Sequence, residues 1–171
     1  MRATIRDTIA VMLAFPSILL ALGIVAVLGP SLNNVMLAVG IAGIPLYTRL
    51  VRGQVLATKS LAYVEAARTV GCGDVRIVGR HILPNIVAPV IVVATLGIAG
   101  GILTGAALSF LGLGAQPPSP EWGAMLSDGR SFLRQAWWVT MFPGLAITIT
   151  VLAINMVGDG LRDALDPRLK T

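Results

Sequence analysis

Residues 8–48 read TIAVMLAFPSILLALGIVAVLGPSLNNVMLAVGIAGIPLYT, and no side chain in that run carries a charge. As a single α-helix the run would be about 60 Å long, roughly twice the hydrocarbon thickness of a bilayer. It must therefore fold back on itself, and GPSLNN at residues 29–34 supplies the break, because Gly-Pro followed by Ser and paired Asn is turn chemistry. The reading is two apolar helices, over about residues 8–28 and 35–51.

The pattern recurs. Residues 82–120 and 135–158 are also free of Asp, Glu, Lys and Arg. They predict a third helix from near Ile86 to beyond Leu103, bent at Gly100-Gly101, and a fourth over about residues 139–156. The 171 residues are 56% hydrophobic and 12% charged, about half the charged fraction of a soluble domain, with a mean hydropathy of +0.84. The fold class is all-α integral membrane, with about four spans. Arg2 and Arg6 precede the first run as they would in a signal peptide, but the run is too long for a signal core and no A-x-A cleavage site follows. It reads as a retained helix.

A net charge of +5 in a soluble protein would suggest nucleic acid, but here the basic residues distribute as loops do on the cytoplasmic side of a membrane. Arg2 and Arg6 precede helix one. Arg49, Arg52, Lys59, Arg68, Arg76 and Arg80 lie between helices two and three, and Arg162, Arg168 and Lys170 follow helix four. The loop between helices three and four, about residues 114–137, holds only Arg130 and Arg134, offset by Glu121 and Asp128. Both termini and the polar segment at about residues 52–85 are thus expected in the cytoplasm, with Trp137 and Trp138 in the outer aromatic belt. Cys72, the lone cysteine, has no disulfide partner and no metal-spaced neighbour.

Each expected span contains a proline: Pro16, Pro45, Pro89 and Pro143. In helix three Gly97, Gly101, Gly105 and Ser109 recur every four residues, a small-residue stripe that lets a second helix approach closely. No span has an ionisable group at its centre, which argues against proton or ion coupling within the chain. Asn155 suits helix–helix hydrogen bonding. No triad, metal cluster or carboxylate pair is legible. GQVLATKS, residues 53–60, approaches a phosphate-binding loop, but Thr58 stands where the second glycine is needed for the backbone to cradle phosphate.

The segment YVEAARTVGCGDVRIVGRHILPN, residues 63–85, is polar between two greasy stretches. Ser60 is placed to cap a short helix through Val70, with Glu65 and Arg68 an i,i+3 pair and Gly71 a positive-φ terminator. Asp74 would cap a second helix with an apolar stripe of Val75, Val78 and Ile82, with Arg76 and Arg80 stacked at i,i+4, and Pro84 would end it. Two readings fit: a compact helix–turn–helix knob, or an amphipathic pair lying on lipid headgroups. In the outer loop, Ser119, Pro120 and Glu121 read as N-cap, N1 and N2 of a short helix with Trp122, Met125 and Leu126 on one face.

Glu65-Ala66-Ala67, then three residues, Gly71, nine residues and a position preceding Ile82-Leu83-Pro84 resembles the EAA loop of ABC importer permeases. The general pattern has isoleucine where His81 stands, while RHILPN is similar to the dipeptide/oligopeptide/nickel branch. LAFPSILLALGIVAVLGP, YTRLVRGQVL, ALSFLGLGAQPPSPEWGAML and FPGLAITITVLAINMVGDGLRDALDPRL resemble, in order, the C-type inner-membrane subunit of that branch. The resemblance implies a type I importer transmembrane domain over residues 1–171 and transport of peptides or nickel-type solutes. It implies ATPase docking through Glu65, Ala66, Ala67, Gly71, Ile82, Leu83 and Pro84. It also implies a second permease subunit, two cytoplasmic ATPase subunits that bind ATP and Mg, and an extracytoplasmic substrate-binding protein. No cofactor is expected in this chain. Members of the family carry about two further hydrophobic helices upstream. The chain is therefore read as N-terminally truncated relative to them, whether as a fragment, a misassigned start or a shortened permease. The competing classes are a non-transporting structural or assembly subunit, or inactive fragment, and an ion-coupled carrier.

Overall fold

A computed structural model describes residues 9–165, and among these all regular structure is helical. α1 is Ser17–Leu28, α2 Leu32–Lys59 and α3 Ala62–Thr69. α4, Asp74–Ile77, runs through one π turn, Val78–Ile82, directly into α5, Leu83–Phe110. α6 is Trp122–Gly129, followed by a 3₁₀ turn, Arg130–Phe132, and α7 is Trp138–Leu165. Three stretches are long and apolar enough to cross a membrane: Leu32–Lys59, Asp74–Phe110 and Trp138–Leu165.

The first expected span is not one helix. Residues 9–14 are helical, the chain breaks at Phe15-Pro16, and α1 restarts for 12 residues, about 18 Å of helix and too short to cross alone. Proline lacks an amide hydrogen and drives the residue before it out of the helical region. Pro16 sits at the N-cap of α1 with φ −55° and ψ 131°, and its carbonyl accepts from Leu19 and Leu20 at 3.0 and 3.1 Å. Pro45, Pro89 and Pro143 lie inside α2, α5 and α7 without interrupting them. Residue 8, the expected start of this span, lies outside the described residues, as do Arg2, Arg6, Arg168 and Lys170. α2 and α7 are each 28 residues, about 42 Å, and so outrun the hydrocarbon that their apolar cores predict.

The GPSLNN turn is tied by its own side chains. Ser31 caps α2 by accepting from the Asn34 amide at 3.1 Å, while Asn34 Nδ2 donates to the Leu28 and Gly29 carbonyls at 3.0 and 2.9 Å. Acceptors left over at the end of α1 are thereby satisfied. Gly29 takes φ +89° there. α1 and α2 then form an antiparallel pair whose buried contacts are Ala21, Val25, Val35, Ala38 and Ala42, with Leu108 of α5 completing the cluster. The α5 end beyond Leu108 closes in a Schellman motif. Gly112, at φ +81°, donates to Ser109, and Leu113 donates to Leu108 at 3.0 Å and packs on the same cluster.

Large apolar side chains face outward along every span, among them Val27, Met36, Phe142, Ile149 and Met156. In water such a surface would drive aggregation. Against lipid tails it is the matched surface, and helix association rests on close packing instead. The chain is a membrane-spanning protein.

α6 and its flanks, the expected outer loop, fold down between α5 and α7. Gly123 lies on the Ala106 backbone, where a Cβ would come within 2.8 Å of the Ala106 Cα, and Gly129 lies on Thr140. Arg130 stacks over the Phe110 ring at 5.5 Å, a cation–π contact. The cap of α6 is Glu121, whose Oε2 accepts from Ala124 N at 2.8 Å. Ser119 does not cap it, because the helix starts at Trp122 and Ser119 stands two positions before the N-cap. Trp122 and Met125 are exposed, and the inward face is Gly123, Leu126 and Gly129.

Candidate functional site

The polar segment forms a knob at one end of the α2–α5 pair. Its interior is a second apolar cluster: Val64 of α3, Ile77 of α4, Ile82 of the π turn and Ile86 of α5, with Val51, Val55 and Cys72 packed on it. Ile77 and Ile82 are five residues apart and would point to different faces of an α-helix. The π turn widens the ladder by one residue, so both reach the same cluster. The stripe expected at Val75, Val78 and Ile82 is corrected accordingly: Val75 is 89% exposed and Val78 is exposed, while Ile77 is 1% exposed.

Pro84 does not end the second knob helix. It falls in the first turn of α5, inside a helix that continues from the π turn, so the bond its missing amide would make is forgone. The π turn just upstream absorbs the crowding of its ring against the preceding turn, and one continuous rod, Asp74–Phe110, results. The two expected caps are also displaced. Leu61 is the N-cap of α3, and Ser60 Oγ donates back to the Ala57 carbonyl at 2.9 Å. Gly73 is the N-cap of α4, with no side-chain cap bond. In place of a Glu65–Arg68 pair, Arg68 approaches Asp74 at 3.9 Å, with both side chains more than half exposed, an arrangement worth little in free energy.

Gly71 takes φ +84° and closes α3 in a full Schellman motif. Its amide donates to the Arg68 carbonyl at 3.0 Å and the Cys72 amide donates to Ala67 at 3.1 Å. The α3 surface then divides cleanly. Val64 and Ala67 face inward; Glu65, Ala66, Arg68 and Gly71 face solvent. Of the remaining EAA-loop positions, Ile82 is buried in the knob, while Leu83 and Pro84 are exposed at the base of α5. Thus Glu65, Ala66 and Gly71 form the outer surface of the knob, and Ala67 and Ile82 hold it together. A shallow cleft beside them is lined by Leu56, Lys59, Ser60, Val64, Glu65 and Arg68, so carboxylate and cations are presented together.

The small-residue stripe of α5 faces α2. A Cβ on Gly101 would meet Val39 Cγ1 at 3.8 Å, one on Gly105 would meet Val35 Cγ1 at 3.8 Å, and Gly97 lies against the Tyr47 hydroxyl. Ser109 is buried beside Gly114, and its hydroxyl has no partner. Three features of the site went unread in the sequence: Tyr63 and Asn85, whose side chains both donate to the His81 carbonyl at 3.3 and 2.7 Å, and the docking glycines Gly123 and Gly129. Nothing local marks those two glycines, because residues six apart on a helix lie about 120° apart around its axis and match neither spacing that marks one face. No group of three or more His, Cys, Asp or Glu side chains is gathered among the described residues.

The chain is thus a bundle of lipid-facing helices with a polar knob at one end. Residues 2–171 match the family described as binding-protein-dependent transport system inner membrane component, and the chain belongs to it. It is 55% identical over 166 residues to the dipeptide transport system permease protein DppC of Escherichia coli K12, covering 97% of this chain and 55% of that one. It is also 55% identical over 161 residues to the protein of the same name from Alkalihalophilus pseudofirmus, covering 94% of this chain and 53% of that one. A putative peptide transport system permease protein of Brucella suis is 53% identical over 159 residues, covering 93% and 54%. The chain spans about half the length of the curated relatives it matches.

Proposed function

We propose that this chain is a permease subunit of an ATP-driven importer of dipeptides and related short peptides, and that the knob is where cytoplasmic ATPases dock. The observation that carries the reading is the similarity to dipeptide permeases along nearly the whole chain, knob included. The geometry supports it. Glu65, Ala66 and Gly71 are small or singly charged groups on an exposed convex surface, where a partner can close on them without displacing bulky side chains. Glu65 offers a carboxylate for a charge-assisted hydrogen bond to a basic residue of that partner. The basic residues around the knob, Arg49, Arg52, Lys59, Arg76 and Arg80, support a cytoplasmic position for it by the positive-inside bias.

The remaining parts of the machine are a second permease subunit, two ATPases carrying ATP and Mg, and an external substrate-binding protein that delivers the peptide. Closure of the ATPases displaces the knob, and the α4–α5 rod carries the displacement across the membrane. The test is Glu65→Lys, which reverses the charge of an exposed group and leaves the buried cluster untouched. ATP-driven dipeptide uptake by the assembled complex should fall about tenfold or more, as expected for loss of a charge-assisted bond, while the subunit still inserts in the membrane. Undiminished uptake by this variant would remove the docking assignment.

A further inference from the structure

α3 is only eight residues long and contributes one large side chain, Val64, to the interior of the knob. Val64 and the smaller Ala67, both buried, lie in one line along the helix, which fixes its position but leaves it free to rock about that line. Two contacts outside the cluster remove that freedom. The rings of Tyr63 and His81 lie with centroids 6.3 Å apart at a 48° tilt, within the range of favourable aromatic pairs. Tyr63 Oη also donates to the His81 carbonyl at 3.3 Å, and Asn85 Nδ2 donates to the same oxygen at 2.7 Å. That carbonyl belongs to the π turn, where the Asp74–Phe110 rod departs from α-helical geometry. A π turn is a natural point of bending, and Pro84 next to it offers no amide hydrogen. The carbonyl at the weak point is therefore held from α3 on one side and from α5 on the other.

We propose that Tyr63, His81 and Asn85 form a positioning clasp that keeps α3 and the α4–α5 rod in one orientation, so that a displacement of the knob moves α5 and is not absorbed at the π turn. This rests on the coupling role proposed above. Tyr63, His81 and Asn85 all lie outside the ATPase-docking set.

The experiment uses the full complex in proteoliposomes with external binding protein and a labelled dipeptide, reading uptake and ATP hydrolysis in the same vesicles. Tyr63→Ala and His81→Ala should each retain the ATPases, yet lower dipeptide imported per ATP about twofold or more, the factor an aromatic pair represents. The double variant should be no worse than Tyr63→Ala, because the ring pair that His81→Ala removes is already lost there together with the hydrogen bond to the His81 carbonyl. Tyr63→Phe, which keeps the ring, should be milder than either. An unchanged ratio in both single variants, or losses that multiply in the double one, overturns the clasp. A second readout does not depend on ATP. In a Cys72→Ser chain, spin labels at Ala62→Cys and Val87→Cys should give a distance distribution that broadens when Tyr63→Ala is added, and an unbroadened one also overturns it. Broadening without any ATPase bound in the wild-type complex would instead locate the failure in the docking reading.

Discussion

At the scale of single residues, the glycines of this chain are not equivalent. A Cβ on Gly101 or Gly105 would meet a valine methyl at ordinary van der Waals distance, 3.8 Å in each case. A Cβ on Gly123 would strike the Ala106 backbone, which has no rotamer to yield. Gly101→Ala should therefore leave the midpoint of thermal unfolding in detergent nearly unchanged, while Gly123→Ala should cost about 1–3 kcal/mol, the usual range for overpacking, and lower it measurably. Equal effects would mean that α6 does not seat on α5 as described. Gly71 was legible in the sequence because one residue type serves the positive φ that ends α3. The N-caps Ser60, Asp74 and Ser119 were misread by one or two positions. Two of these helices start at residues without a capping side chain, Leu61 and Gly73, and only α6 is capped by one, Glu121, so residue type alone does not locate the start.

At the scale of elements, the spans were legible because an uncharged run of membrane length has few alternatives. What sequence could not separate is the behaviour of four similar prolines: Pro16 breaks its helix, whereas Pro45, Pro89 and Pro143 are carried inside theirs. The outcome is set by tertiary packing, which no local pattern encodes. The π turn was hidden for a related reason. An i,i+5 pair such as Ile77 and Ile82 matches neither the 3.6-residue nor the 2-residue period, so the buried stripe was assigned to Val75 and Val78 in its place. The corrected stripe carries a prediction. Ile77→Ala should destabilise the knob by about 2–5 kcal/mol, and limited proteolysis in membranes should then cut near residues 70–73 where the native chain resists. Val75→Ala, on the exposed side, should leave the resistance intact.

For the whole molecule, the account is of a membrane subunit in which a compact polar knob is joined to the bilayer helices through one unbroken rod, Asp74–Phe110. The apolar cores of the spans hold no ionisable group, where ion-coupled carriers ordinarily keep one, and this favours the proposal that a docked ATPase supplies the energy. Family membership and the helical membrane fold follow from the whole length of the chain. The proposed role of the knob rests on a few residues of its surface, and ATP-driven import is the claim on which that proposal stands. Its most direct test is uptake of a labelled dipeptide into membrane vesicles holding the complete transport complex, with the proton gradient collapsed by an ionophore and ATP either supplied or withheld. The account predicts uptake that requires ATP and is indifferent to the gradient. Uptake that follows the gradient, or no uptake from a complex whose subunits are all present, would contradict it.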